Sequence, residues 1–184
     1  AYRKEMRYLA RLVHLTESIK NRHELIFPMS PDYHLTIPIK GALENLALKT
    51  FDLKHTLAEY EVEVEIKATG VNFRDVLTAL NLYPGDPGPM GLEGAGIVSR
   101  VGKAVTEFKP GDEVFGYIRA SYATHAVLDK RWIIKKPPQL TFAEAASLPA
   151  IYLTAYMGIV TLGKLQARKK ILIHAGAGGV GQAA

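Results

Sequence analysis

Hydrophobic and charged residues alternate almost without error over residues 61–68 (E-V-E-V-E-I-K-A). Successive side chains of a strand point to opposite faces, so this period of two predicts a half-buried strand with one face in water, which Gly70 ends. Other short apolar runs between turn residues predict further strands, at 45–49, 96–102, 113–117, 122–128 and 132–135. Many short strands separated by turns are typical of a barrel or a sandwich.

Helix and turn signals interrupt these strands. Asn72 is a suitable cap for a short helix over 73–80, and Asp75 lies in its first turn, where a carboxylate interacts favourably with the helix dipole. Residues 83–91 (Y-P-G-D-P-G-P-M-G) are a loop rich in turn formers. In 109–112, proline and glycine occupy the two centre positions of a type II turn.

The pattern becomes helical in the last quarter of the chain. Thr141 and Glu144 have the spacing of a capping box, which opens a short helix to about residue 148. A second helix is predicted over 150–162, with Gly163 as its C′ residue. These two helices connect the region of strands to a glycine-rich segment.

That segment, 169–181 (K-K-I-L-I-H-A-G-A-G-G-V-G), carries Gly176, Gly178 and Gly181 in G-x-G-x-x-G spacing. It predicts a strand at 171–173 that runs into a nucleotide-binding turn. The first glycine permits the bend, the second lets backbone N–H groups approach a pyrophosphate, and the third lets the next helix pack closely. The residue that selects NAD or NADP lies about 20 residues further on. We therefore expect this sequence to be the first part of a two-domain protein.

Composition adds mainly exclusions. The 184 residues are 48% hydrophobic and 22% charged, which is ordinary for a globular protein, and they contain no cysteine. This excludes disulfides and thiolate metal sites and fits a reducing cytoplasm. The net charge of +5 is spread over the chain without the interleaved aromatic residues of a nucleic-acid surface. No apolar run approaches the roughly 20 residues of a membrane span, so neither nucleic acid nor membrane is expected as a partner.

Four motifs, in this order, resemble the medium-chain dehydrogenase/reductase superfamily and, within it, enoyl reductase domains of modular polyketide synthases. They are V-N-F-R-D-V-L-T-A-L-N-L-Y-P-G at 71–85, G-L-E-G-A-G-I-V at 91–98, K-P-G-D-E-V-F-G at 109–116 and I-H-A-G-A-G-G-V-G at 173–181.

The resemblance covers roughly residues 40 to 184 and implies a mixed α/β fold. It places a GroES-like β-barrel substrate domain at 39–140, a helical bridge at 141–168 and the first strand and glycine turn of a Rossmann domain at 169–184. Residues 1–38, which mix a short apolar stretch with prolines, are interpreted as a linker to a neighbouring synthase domain that lends one or two strands to something larger.

The resemblance also implies a reaction. NADPH would reduce a trans-2-enoyl thioester carried on the phosphopantetheine arm of an acyl carrier protein. Hydride would add to the β-carbon, and the resulting enolate would be protonated at the α-carbon, or would close a cyclopropane where the substrate bears a leaving group. Leu92 stands where zinc-dependent relatives have a histidine, and cysteine is absent, so we expect no catalytic zinc.

The resemblance proposes Tyr83 as the acid at the α-carbon. A tyrosine has a pKa of about 10 in model peptides and needs help to donate at neutral pH, so packing beside Pro84 is an equal alternative. The lysine and aspartate that assist in relatives would lie beyond Ala184. We therefore expect residues 1–184 alone to be inactive. Glu93 is interpreted as structural, holding the loop between barrel and cleft.

Cofactor contacts are implied for a second set of residues. Asn72 and Arg74 belong to the segment that faces the cofactor cleft in relatives, although Asn72 also suits a helix cap. Thr154 matches a threonine at the nicotinamide end, with a buried hydroxyl bonded to its own helix as the alternative. Four residues of the glycine turn complete the set: Gly176, Gly178, Gly179 and Val180.

Two other functions remain open. One is a free-standing, zinc-free reductase similar to quinone oxidoreductases. The other is a non-catalytic structural or docking remnant that retains the barrel.

Overall fold

The computed structural model describes residues 2–3, 6–7, 25–53 and 56–184. Within these ranges the strands are β1 (Tyr2–Arg3), β2 (Met6–Arg7), β3 (Tyr33–Thr36), β4 (Ala47–Thr50), β5 (Glu61–Thr69), β6 (Gly94–Val101), β7 (Glu113–Gly116), β8 (His125–Asp129) and β9 (Ile133–Lys135). The α-helices are α1 (Phe73–Ala79), α2 (Phe142–Ala146), α3 (Pro149–Tyr156) and α4 (Gly179–Ala183). A π-helix, Met157–Leu162, continues α3.

An antiparallel sheet of five strands, in the order β8-β5-β6-β7-β9, forms the centre of the protein. The alternating stretch is confirmed as β5, whose Val62 and Val64 have no exposed surface. Gly70 follows its last residue, as predicted. Inward side chains of the sheet and two residues of its connecting segments, Val105 and Ile118, form one apolar cluster: Val62, Val64, Val98, Val105, Val114, Ile118, Ala126 and Ile133.

The prediction that the other face of β5 is wet is wrong at Glu63, which is 4% exposed. Its Oε1 accepts hydrogen bonds from Ser99 Oγ at 2.6 Å and Arg100 Nε at 3.0 Å, and its Oε2 pairs with Arg100 Nη2. The guanidinium of the neighbouring strand thus replaces the water that the carboxylate would lose on burial.

This pair makes the protein sensitive to acid. Hydrogen bonds from Arg100 hold the pKa of Glu63 below its usual value, although burial opposes them. A lowered pKa in the folded state stabilises the protein above the unfolded-state pKa, and this stabilisation is lost as pH falls through the folded-state value. We expect Glu63→Gln to cost about 1–3 kcal/mol at pH 7 and to remove this pH dependence below pH of about 4.5. Urea unfolding at pH 7, 5 and 3 measures both effects.

The matched control is Glu65→Gln, on the same strand, because the Glu65 side chain is 43% exposed and its ion-pair partner, Lys67, is also exposed. Parallel stability curves for Glu63→Gln and the unchanged protein across these pH values would contradict the prediction.

A second sheet pairs β3 with β4, with Leu35 opposite Leu48. The strand predicted at 45–49 begins only at Ala47, because Leu43–Asn45 form a 3-10 turn. The pairing joins residues on both sides of the proposed boundary at residue 38. Residues 8–24 of the predicted linker lie outside the described part of the chain, and β1 pairs with β2.

The predicted strand 122–128 begins later, at His125, because the preceding backbone pairs elsewhere. Leu35 N–H donates to Tyr122 O at 2.7 Å, and Thr124 N–H donates to Tyr33 O at 2.9 Å. The other strands agree within a few residues: 96–102 is observed as β6, 113–117 as β7 and 132–135 as β9. The type II turn is confirmed by Gly111, whose φ is 92°.

The capping box that opens α2 is confirmed. Thr141 N–H donates to Glu144 Oε2 at 2.8 Å, and Glu144 N–H donates to Thr141 Oγ1 at 3.2 Å. The second predicted helix changes from α3 to the π-helix after Tyr156. Gly163 was predicted as the C′ residue, but it is the C-cap, with φ of −73°, and the positive φ of 47° occurs one residue later, at Lys164.

The helical stretch Phe142–Leu162 corrects the expectation that no segment has membrane length. It has 21 residues, and an 18-residue window within it has a mean hydropathy of 1.5 with 22% of the window buried, so its length and composition would allow it to cross a membrane. Core helices of globular proteins meet the same two criteria. The stretch therefore does not by itself identify a span.

The strand predicted at 171–173 is also corrected. These residues form no strand, and the side chains of Ile171, Leu172 and Ile173 are 49%, 80% and 38% exposed. A strand requires a hydrogen-bonded neighbour, and no described segment pairs with this one.

Candidate cofactor and substrate site

Glu93 is the connecting residue of the site. It lies just before β6 and is 3% exposed. Its Oε1 accepts from Asn72 Nδ2 at 2.9 Å, and its Oε2 accepts from Ala150 N–H at 2.8 Å. Its backbone carbonyl accepts from Thr69 Oγ1 at 2.8 Å and Gly70 N–H at 3.3 Å. One residue therefore links the end of β5 and the first turns of α1 and α3.

Asp75 is a second buried carboxylate, 3% exposed, in the first turn of α1. Its Oδ2 accepts from Asn72 N–H at 3.0 Å and from the Tyr122 hydroxyl at 2.9 Å, and its Oδ1 accepts from Gly91 N–H at 3.1 Å. The predicted cap is confirmed, because Asn72 is the N-cap of α1. Asp75 also fixes the end of the 83–91 loop to the barrel.

The sequence did not indicate Tyr122 as part of this network. Burial raises its pKa, and the carboxylates of Asp75 and Glu93 raise it further. The hydroxyl therefore remains protonated and continues to donate to Asp75 over the range in which proteins are stable.

Tyr83 and Arg74 lie together. The Arg74 guanidinium is 5.5 Å from the centre of the Tyr83 ring, and its Nη2 donates to Pro87 O. Tyr83 N–H donates to Leu77 O at 3.2 Å, which ties the loop to α1. A cation over the ring and a backbone anchor hold this half-buried tyrosine in one position beside α1.

Thr154 lies on α3, one turn beyond Ala150. Its Oγ1 donates to Ala150 O at 2.6 Å, as in the alternative that the sequence left open, but the residue is exposed and not buried as that alternative had it. A threonine in this arrangement satisfies its hydroxyl within the helix while its other side faces outward.

The glycine turn lies against the start of α3. Gly178 is the N-cap of α4, and a side chain at Gly179 would lie 3.2 Å from Ile151 Cγ2. A Cβ at Gly181 would lie 2.6 Å from Gly176 Cα, so the third glycine packs closely against the turn itself and not, as expected, against the preceding strand, which does not form. The predicted contact residues of this turn are exposed: Gly176, Gly178, Gly179 and Val180.

The predicted residues thus form two groups joined by α1. Asn72 connects through Glu93 and α3 to the glycine turn, whereas Arg74 and Tyr83 contact each other. A cavity of about 550 Å³ lies beside α1, with Asp75 and Tyr122 on its wall. The rest of that wall is mainly aliphatic and includes Leu35, Leu46, Leu48, Ile66, Val76 and Met90.

Comparison with known proteins assigns this arrangement to a class. Residues 58–138 match the alcohol dehydrogenase GroES-like domain. The chain belongs to the medium-chain dehydrogenase/reductase superfamily, and the expected mixed α/β fold with a GroES-like domain is confirmed.

Within that superfamily, the chain is similar to polyketide synthases and to solved enoyl reductases. It is 43% identical over 145 residues to a phenolphthiocerol synthesis polyketide synthase type I of Mycobacterium marinum. The aligned segment covers 78% of this chain and 7% of that protein. The CurK enoyl reductase has 38% identity and a TM-score of 0.77, over 84% of this chain and 50% of that chain. An Escherichia coli quinone oxidoreductase, solved with NADPH, has 33% identity and a TM-score of 0.68, over 81% of this chain and 47% of that chain. The chain therefore spans about half of the solved reductases and a small part of the synthase.

Proposed function

We propose that these residues form the substrate-binding part of an enoyl reductase domain that reduces a trans-2-enoyl thioester with NADPH. The observation that carries the proposal is the link made by Glu93, which brings Asn72 and the start of α3 together next to the glycine turn. Similarity to an enoyl reductase and to an NADPH-binding oxidoreductase supports the same assignment.

The proposed domain division is the one given by the motifs: a linker at 1–38, the substrate domain at 39–140, the bridge at 141–168 and the nucleotide-binding part from 169. The glycine turn fits a dinucleotide, because its exposed glycines permit close approach of a pyrophosphate to the backbone. Gly176, Gly178, Gly179 and Val180 would hold that end of NADPH, and Asn72, Arg74 and Thr154 would line the nicotinamide end.

Bound NADPH would supply the hydride for the β-carbon. The chain's own residues would orient the alkene, exclude water and deliver a proton. The Tyr83 hydroxyl is the proposed proton donor to the α-carbon. Arg74, which lies over the Tyr83 ring, holds that ring in position. Closure of a cyclopropane, in place of protonation, remains the outcome for a substrate that bears a leaving group.

The proposed partners are an acyl carrier protein, which presents the enoyl group on its phosphopantetheine arm, and neighbouring synthase domains in the cytoplasm. The similarity to a multidomain polyketide synthase supports this setting. Similarity to a quinone oxidoreductase favours a second candidate, a reductase of free quinones.

The test is NADPH oxidation by the full-length protein with a crotonyl thioester and, separately, with a quinone. We expect turnover of the thioester and none of the quinone, and no turnover by residues 1–184 alone, since they match half of the solved reductases. Turnover of the quinone alone would support the second candidate. Absence of NADPH binding by the full-length protein would support the non-catalytic alternative.

Tyr83→Phe tests the proposed proton donor. Because a positioned general acid contributes about 10²- to 10⁴-fold to a rate, we expect kcat with the thioester to fall at least about 100-fold while NADPH binding is retained. Tyr60→Phe is the matched control, since Lys130 lies over its ring at 5.6 Å but at the opposite end of β5. An unchanged kcat in Tyr83→Phe would remove this residue from the chemistry and leave it as a packing residue.

A further inference from the structure

The carboxylate of Glu93 lies in the space left by the missing side chain of Gly70. A Cβ at Gly70 would lie 2.6 Å from both Glu93 Cγ and Cδ, so any side chain at residue 70 would displace the carboxylate. Gly70 does not have a positive φ, and its lack of a side chain is therefore explained by this contact and not by a turn.

Each oxygen of that carboxylate holds a different element. Oε1 holds the side-chain amide of Asn72, at the start of α1, and Oε2 holds the N–H of Ala150, in the first turn of α3. The first N–H groups of a helix have no partner within the helix, and a carboxylate there is favoured by the helix dipole. The connection spans 57 residues of sequence between Glu93 and Ala150.

Both elements held by Glu93 carry residues of the proposed nicotinamide end. Asn72 is held directly, and Thr154 lies one turn beyond Ala150 on the same helix, to whose carbonyl it donates. Ile151, the residue after Ala150, lies beside the glycine turn, since a Cβ at Gly179 would be 3.2 Å from Ile151 Cγ2. A change in the Glu93 carboxylate would therefore move both walls of the cofactor cleft.

We propose that Glu93 is a positioning residue for the cofactor: it sets the rotamer of the Asn72 amide and the distance between α1 and α3. This inference rests on the proposed function and extends the structural role that the sequence indicated. Glu93 is buried and both of its oxygens are committed to these partners, so it acts through Asn72 and α3 and does not touch the substrate.

The Glu93→Gln variant separates this role from a general contribution to stability. Glutamine has one acceptor oxygen, whereas Asn72 Nδ2 and Ala150 N–H are both donors. Glutamine can keep the bond to Ala150 if the Asn72 amide rotates by half a turn and accepts from the new NH₂ group. The protein then folds, but the amide presents the opposite hydrogen-bonding group to the cofactor.

The experiment uses the full-length protein. We expect Glu93→Gln to weaken NADPH binding, followed by nicotinamide fluorescence, about 10-fold and to lower kcat/KM for the crotonyl thioester about 10- to 100-fold, because small displacements in a site are costly. The thermal midpoint should change little. Gly70→Ala, which displaces the carboxylate without altering its charge, should reproduce the kinetic loss and increase amide hydrogen exchange at Ala150.

The matched control is Glu144→Gln, because Glu144 caps the neighbouring helix α2 through Thr141 and has no contact with the site. If the unchanged protein binds NADPH and Glu93→Gln binds it equally well with the same kcat/KM, the positioning role is overturned. A loss of thermal stability with unchanged kinetics per folded molecule would also overturn it. If the unchanged protein does not bind NADPH, the proposed function fails first, and the positioning role fails with it.

Discussion

Replacing Asp75 with alanine should lower the free energy of unfolding by about 3–5 kcal/mol, because it leaves three hydrogen-bond donors, one buried and two half-buried, without a partner at once. These donors are the N–H groups of Asn72 and Gly91 and the hydroxyl of Tyr122. They come from the start of α1, the end of the 83–91 loop and the barrel wall. The same substitution should therefore release the loop that carries Tyr83.

Urea unfolding measures the loss, and two variants define its origin. Tyr122→Phe removes one of the three donors and should cost only about 1 kcal/mol. Asp86→Ala, in the same loop, removes an exposed carboxylate that accepts from Gly88 N–H at 2.8 Å, and we expect a change within about 0.5 kcal/mol.

The size of this loss depends on the cavity beside α1. It borders Asp75 and Tyr122, so water could enter and accept from the released donors. A loss for Asp75→Ala no greater than that for Tyr122→Phe would indicate that water replaces the carboxylate, and would contradict the view of Asp75 as the fixed centre of this network.

The sequence predicted local structure correctly where neighbouring residues determine it. The alternation in β5, the cap at Asn72, the capping box of Thr141 and Glu144, and the turn at Gly111 each depend on residues within a few positions of one another. Apart from small shifts at the ends of elements, errors occurred where a distant partner decided the outcome. Glu63 is buried because Arg100 reaches it from the next strand, and the pattern of β5 alone contains no sign of that pair.

The sequence indicated several residues of the candidate site, but it did not indicate the hydrogen bonds that connect them. The motifs indicated Asn72, Tyr83 and the glycine turn, and they identified Glu93 as structural. They did not indicate that Glu93 bonds to Ala150, 57 residues away, or that Asp75 bonds to Tyr122, 47 residues away. Such contacts depend on how the barrel folds back on itself, because nothing in the local pattern of either residue specifies its partner.

Gly96→Ala should lower the free energy of unfolding by at least about 3 kcal/mol, which is the upper part of the range for overpacked sites. Gly96 lies in β6 at the centre of the sheet, between Ile66 on β5 and Val114 on β7. A Cβ there would overlap the carbonyl oxygen of Glu65 and lie 2.8 Å from Val64 Cγ1. A flexible side chain could move away, but a backbone carbonyl of a central strand moves only if the sheet separates.

The matched control for this substitution is Gly158→Ala, in the π-helix that follows α3. Within the described part of the chain, a Cβ at Gly158 would meet no atom within 4 Å outside its own helix and its chain neighbours, so we expect unchanged stability or a gain of up to about 1 kcal/mol from the better helix propensity of alanine. Urea unfolding of both variants gives the comparison, with circular dichroism to confirm that each one folds. A loss below about 1 kcal/mol for Gly96→Ala would mean that β5 and β6 separate easily at this position. The end of β5 holds the Glu93 backbone through Thr69, so a sheet that separates there would also be a poor support for the proposed cofactor site.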